Sequence, residues 1–241
     1  MRKTKLFCLP YAGGSASIYN RWKQHLGADI ELVTIELAGK GRRIGESLYQ
    51  DLSEAVQDVY KIIKKDLADA PYALFGHSMG GLISYELAQR IRANGLPAPV
   101  HIFFSGKSAP HIEREDEKKY HLMDDEEFER ELIHLGGTPP EFFESPELAG
   151  IFLPILRSDF KMAQTTTNKG VIYPLNIPIT VFLGKKDDQT PEQCDGWKFH
   201  TTKGCTLHYF EGGHFFLHDE MDPILKIINR TIRDSYDDGH L

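Results

Sequence analysis

A serine stands between glycines in Phe75-Gly76-His77-Ser78-Met79-Gly80-Gly81. The pattern G-x-S-x-G, with a strand before it and a helix after, holds a nucleophilic hydroxyl on a sharp turn. The glycines remove side chains that would collide with the adjoining strand and helix, and the turn places the serine in strained dihedrals. The helix it opens aims its N-terminus at developing negative charge. A serine needs a base, and the base needs an acid to orient it. Among eleven histidines, His214 has the setting for a base: it follows a strand pattern and two glycines in "HYFEGGHFF". His218, four residues on, makes an i, i+4 histidine pair, but no H-E-x-x-H and no third ligand accompany it. It reads as a surface or supporting residue, and His77 as a packing residue inside the turn. The acid comes from "FLGKKDDQTPEQCDGW", where Asp187 and Asp188 both follow a strand pattern. Spacing does not separate those two, while Asp195 reads as a helix cap. An oxyanion calls for two N–H donors, that of Met79 after the serine and one from the loop after an early strand. "PYAGGSAS" supplies the latter, with Ala12 as donor, and it lacks the G-K-[ST] of a phosphate loop.

The elements that must position these residues alternate along the chain. Strand patterns cover "KLFCLPY", 30–37, 72–76, 100–106, 177–184 and 206–213. Helical periodicity covers 51–67, with Leu52, Val56, Val59, Ile63 and Leu67 on one stripe, then 78–95 and 223–236. Such alternation predicts an α/β fold: a mostly parallel sheet with helices on both faces. Residues 107–176 break it. A helix capped by Asp124 and ended by Gly136, and a second helical stretch bent near Pro154, make this insertion read as a helical lid on a single domain, 1–241.

Composition narrows the function. The net charge of −7 does not predict a nucleic-acid footprint. No apolar run is long enough to cross a bilayer. The N-terminal "MRKTKLFCLPYAGGSAS" loosely imitates a signal peptide, but Pro10 interrupts a short run, and a buried first strand is expected. Three cysteines, Cys8, Cys194 and Cys205, form no C-x-x-C pair and predict neither a disulfide framework nor a zinc site, so a reducing, cytoplasmic setting fits.

The phrases "LPYAGGSASIYNRW", "FGHSMGG", "LGGTPPEFF", "FLPILRSDF", "GKKDDQT…GW" and "FEGGHFFL" come in the order found in type II thioesterases, the stand-alone editing hydrolases of nonribosomal peptide and polyketide synthesis. The chain resembles that family from about residue 5 to about residue 232. The resemblance implies an α/β-hydrolase fold with a helical lid. It also implies hydrolysis of short or aberrant acyl thioesters on the phosphopantetheine arm of peptidyl or acyl carrier proteins. It assigns Ser78 as nucleophile, His214 as base and Asp188, the second of the paired aspartates, as acid, with Ala12 and Met79 as oxyanion donors. No metal or cofactor of its own, no membrane and no nucleic acid are implied, and a monomer is expected. Ala38, in "ELAGKGRR", departs from the family's proline and is expected to loosen the loop after the second strand. "GKGRR" reads either as a docking patch for an acidic carrier or as a solvated loop. A carboxylesterase or lipase using the same triad, and a catalytically silent docking subunit, are the alternatives.

Overall fold

The structure is a computed structural model that describes residues 2–112, 118–137, 141–165 and 171–237. Six strands form one sheet: β1 (Thr4–Leu9), β2 (Ile30–Thr34), β3 (Tyr72–His77), β4 (His101–Ser105), β5 (Ile179–Gly184) and β6 (Cys205–Phe210). Their order is β2-β1-β3-β4-β5-β6, and every pairing is parallel. The three central strands β3, β4 and β5 are buried at every residue, which explains why each reads as an almost unbroken apolar run.

Strand alternation divides the core into two layers. Phe7, Leu74, Phe104 and Val181 face the helices α1 (Leu52–Ile63) and α2 (Met79–Ala93). Leu6, Cys8, Phe75, Phe103 and Phe182 face the other way. There they meet a 3₁₀ segment, Ala16–Gln24, through Tyr19 and Trp22, and the stripe Ile224, Leu225, Ile228 and Ile232. That stripe belongs to the C-terminal helix, numbered α7 (Met221–Asp237) in chain order.

Between β4 and β5 lie α3 (Asp125–Leu135), α4 (Glu141–Glu144) and α5 (Pro146–Ala163). Asp124 caps α3 through the Glu127 N–H, as its sequence predicts. α5 runs on as one helix through Pro154. A short helix, α6 (Pro191–Asp195), follows β5 and starts with a Thr190–Gln193 capping box. Asp195 ends that helix and stands at the N-cap position of the 3₁₀ segment Gly196–His200, as expected, though its side chain makes no capping bond. Residues 113–117 of the charged stretch "EREDEKKY", which its composition predicts to face water, residues 138–140 of "LGGTPPEFF", and His240 lie outside the described residues.

The chain leaves β1 outward to β2 and returns through β3 on β1's other side. The carboxyl ends of β1 and β3 therefore flank the point where the strand order reverses, the place where open α/β sheets build their sites. Both the Ala12 loop and Ser78 leave the sheet there.

Candidate active site

Ser78 has φ 52° and ψ −114°, and is the sole non-glycine with positive φ among the described residues. Backbone in this region costs on the order of 1–3 kcal/mol and persists where its surroundings hold it. The flanking glycines explain how. A Cβ on Gly76 would lie 2.1 Å from the Gly80 carbonyl oxygen, and one on Gly80 would lie 2.2 Å from that of Leu9. Strand β3, helix α2 and the end of β1 are thus packed backbone to backbone. The Ser78 N–H donates to the Ser105 carbonyl at 2.7 Å, tying the turn to β4.

His214 and its acid come from neighbouring loops. Beyond their last paired residues, β5 and β6 stay joined: the Lys185 and Lys186 N–H groups donate to Phe210 and Gly212 carbonyls at 2.9 Å. Gly184 allows this approach, since a Cβ there would lie 2.4 Å from the Gly213 carbonyl oxygen. The Asp187 N–H closes a turn onto the Gly184 carbonyl at 3.1 Å. That turn brings the Asp187 carboxylate to His214 Nδ1, at 3.0 Å from Oδ2 and 3.2 Å from Oδ1.

The expected partner, Asp188, is not the one that holds the imidazole. Both residues border the cavity, but they differ in exposure and partners. Asp187 is turned inward, its side chain 9% exposed, whereas Asp188 is exposed and gives its own N–H to Asp187 Oδ1 at 2.9 Å. Gln189 Nε2 donates to Asp187 Oδ2 at 2.9 Å. The Asp187 carboxylate thereby accepts from three donors. With its Nδ1–H directed at Asp187, His214 presents Nε2 as the basic nitrogen. Ser78 and His214 line one cavity. No hydrogen bond joins them among the described residues, and such bonds commonly tighten only when substrate is bound.

His77 is fully buried beneath this pair, with its ring 5.2 Å from that of His214 and Nδ1 2.8 Å from Ser105 Oγ. Burial foremost, then the His214 and His218 imidazoles, push its pKa well below the ordinary histidine value. It packs as a neutral ring, as expected of a residue inside the elbow.

Ala12 lies on the cavity wall, in a loop whose Gly14 N–H donates to the Tyr11 carbonyl at 2.9 Å. Among the described residues neither the Ala12 nor the Met79 N–H has a protein acceptor. The loop is held from two sides. Tyr11 Oη meets His218 Nε2 at 3.0 Å, so His218 supports the loop and is not a surface bystander. The Gly13 N–H donates to Asp159 Oδ2 at 2.7 Å, and Lys40 Nζ reaches Oδ1 of the same carboxylate at 2.7 Å. Lys40 and Asp159 side chains are each 3% exposed. Burial pushes the Asp159 carboxyl up, opposed by the Lys40 charge and the Gly13 N–H. Removing one partner of such a pair costs about 3–5 kcal/mol. Sequence reasoning missed Asp159. A carboxylate at the end of the apolar run "GIFLPIL" of α5 was the available signal, since burial of a charge demands a partner.

These contacts also revise "GKGRR". Lys40 is buried on Asp159, and Arg43 is engaged by Glu46 and Asp58, which leaves Arg42 as the exposed cation of the stretch. Ala38 does not loosen its loop: its N–H donates to Tyr49 Oη at 3.0 Å, a bond a proline could not make.

The cavity over Ser78 holds about 200 Å³. The insertion forms one wall through Tyr120, Leu132, Leu135, Leu156, Phe160 and Ala163. The sequence predicts that some of the insertion's apolar residues Phe142, Phe143, Phe152, Leu153, Ile155 and Leu156 line this chamber, and of these Leu156 does. Phe142 instead packs edge-on against Phe152 at 4.7 Å, and Phe143 and Leu153 pack around Phe128 and Leu132. Among the described residues no group of three metal-ligating side chains occurs, and no helix is long and apolar enough to cross a membrane.

The family model described as "Thioesterase domain" matches residues 4–232. The gramicidin S biosynthesis protein GrsT of Aneurinibacillus migulanus is 37% identical, over 96% of this chain and 90% of its own. The medium-chain S-acyl fatty acid synthase thioesterase of Anas platyrhynchos is 34% identical, over 96% of this chain and 93% of its own. The crystal structure of ClbQ, from the colibactin NRPS/PKS pathway, matches with a TM-score of 0.90 at 33% identity, covering 97% of this chain and 98% of that one. Spanned by the family model almost throughout, and akin to these proteins along nearly its whole length, the chain belongs to the thioesterase family, a type II thioesterase of α/β-hydrolase fold that hydrolyses thioesters.

Proposed function

We propose that the protein removes short or aberrant acyl groups from the phosphopantetheine arm of carrier proteins in nonribosomal peptide or polyketide synthesis. The observation that carries this reading is the shared cavity. Ser78 at its strained φ, the Asp187-bound His214 and the Ala12 loop all border one space roofed by the insertion. The names of two relatives support it: GrsT is a gramicidin S biosynthesis protein, and ClbQ comes from the colibactin NRPS/PKS pathway.

In this mechanism Ser78 Oγ attacks the thioester carbonyl while His214 Nε2 takes its proton. Asp187 keeps the proton of the neutral ring on Nδ1 and stabilises the imidazolium that forms. The N–H groups of Ala12 and Met79 donate to the oxyanion, helped by the N-terminus of α2. The tetrahedral adduct collapses, and the carrier's thiol leaves with the proton from Nε2. A water then gives its proton to His214 and attacks the acyl-serine, releasing the carboxylic acid and the serine hydroxyl. The insertion between β4 and β5 acts as a lid of the single domain, shielding the acyl-enzyme from bulk water.

The test compares acetyl-carrier protein, acetyl-coenzyme A and p-nitrophenyl acetate as substrates for wild type and Ser78→Ala. The proposal expects kcat/KM to be highest on the carrier and the serine variant to be inactive on all three. Preference for the oxygen ester would favour an esterase, and equal rates with Ser78→Ala would remove the assigned nucleophile.

A further inference from the structure

α5 contributes two side chains to one point on the Ala12 loop. Asp159 accepts the Gly13 N–H at 2.7 Å, and Leu156, three residues earlier and on the same helix face, lies against the Gly13 α-carbon, where a Cβ would come within 2.5 Å of its Cδ2. Gly13 has φ +79°, a conformation that glycine adopts without strain but does not by itself enforce, so contacts from outside the loop help to select it. Lys40, from the segment after β2, straddles both Asp159 oxygens, 2.7 Å from Oδ1 and 2.6 Å from Oδ2. Three segments distant in sequence thus converge on the residue next to Ala12. A buried charge pair is a poor source of stability relative to apolar packing, so its presence here calls for a role.

We propose that Asp159 is a positioning residue for the oxyanion hole: by holding the Gly13 N–H it fixes the Ala12–Gly13 peptide, which is hinged at the Ala12 α-carbon to the Tyr11–Ala12 peptide whose N–H faces the reacting carbonyl and whose carbonyl takes the Gly14 N–H. This rests on the hole assigned under the proposed function. Asp159 touches no reacting atom. One consequence is that the hole is complete only while α5 is seated on the loop, so a movement of α5 that admits an acyl group would also dismantle the hole.

Two double variants separate positioning from packing. Lys40→Met with Asp159→Asn removes both charges and keeps an oxygen for the Gly13 N–H. Lys40→Met with Asp159→Leu removes that oxygen as well. On acetyl-carrier protein, the leucine pair is expected to lose kcat by on the order of 100-fold with KM little changed. The asparagine pair should recover most of that turnover. A trifluoromethyl ketone analogue of the acyl thioester forms an oxyanion on Ser78, so its inhibition constant should rise in step with the fall in kcat across the set. Equal turnover in two folded double variants, or inhibitor affinity that does not follow kcat, would overturn the proposal. If the leucine pair does not fold, Asp159→Glu with Lys40 retained decides: the longer arm displaces the carboxylate and should lower kcat and inhibitor affinity together, and wild-type values for both would overturn it. Ser78→Ala runs alongside. Turnover that survives it removes the underlying catalytic reading, whereas Ser78-dependent turnover indifferent to Asp159 removes this inference alone.

Discussion

His214 Nδ1 lies 3.0 Å from Asp187 Oδ2, and the Asp187 carboxylate also takes the Asp188 N–H and the Gln189 amide. The carboxylate is oriented by three donors before any substrate arrives. Replacing it with an amide lets the imidazole take the other tautomer. Asp187→Asn is expected to lower kcat by up to about four decades. Asp188→Asn keeps its backbone N–H and is expected to cost less than about tenfold. Steady-state hydrolysis of an acyl-carrier thioester ranks the two, and the reverse order would return the acid to Asp188.

Ser78→Ala should lower turnover by a factor on the order of a thousand or more. Thermal unfolding should be no lower than in wild type, because the strained φ is kept and no buried partner is lost. Single-turnover assays with a radiolabelled acyl group should trap an acyl-enzyme in wild type and none in the variant.

Gly80→Ala is a different kind of lesion. Its Cβ would press on the Leu9 carbonyl, and no rotamer relieves a backbone clash. Separating α2 from β1 is expected to cost about 1–3 kcal/mol, and turnover should fall further than stability. Urea denaturation and kcat measured on one preparation check this. A variant as stable and active as wild type would mean the elbow is less tightly packed than described.

Chain length should be set by the insertion's side of the cavity. Phe160 borders the cavity, while Phe142 packs on Phe152 away from it. Phe160→Ala should raise the ratio of decanoyl-carrier to acetyl-carrier hydrolysis, and Phe142→Ala should leave that ratio near wild type. Measuring both substrates with each variant distinguishes a chamber wall from a support.

Three buried histidines predict acid sensitivity. Burial lowers the pKa of His101 to about 4, and burial with the neighbouring His111 lowers that of His200 to about 4. His77 lies well below the ordinary value for the reason given above. Each is neutral in the fold and free to protonate once unfolded. The stability they contribute is complete above the unfolded value of 6.5 and is lost as pH falls through the window toward about 4. Each group adds a slope of about 1.4 kcal/mol per pH unit inside that window. Denaturant midpoints at pH 7, 6 and 5 should fall progressively, and His101→Gln should flatten the dependence. Midpoints that hold constant from pH 7 to 5 would contradict neutral burial.

The sequence by itself marked the parallel sheet, the elbow and His214 as the candidate base, because each rests on local signals. Apolar runs such as "YALFG" and "VHIFFSG" specify strands buried on both faces, and G-x-S-x-G specifies a turn with no room for a Cβ. Deciding between Asp187 and Asp188 required the tertiary structure. They differ by one position on an irregular turn, where side-chain direction follows from the Gly184–Asp187 closure and not from a period. Periodicity also failed on the insertion: it marks which residues are apolar, but not whether Phe142 faces the cavity or another helix. Asp159 was least legible. Its partners, Gly13 and Lys40, are more than a hundred residues away in the chain, and only the packing of α5 against α2 and the loop after β1 brings the three together.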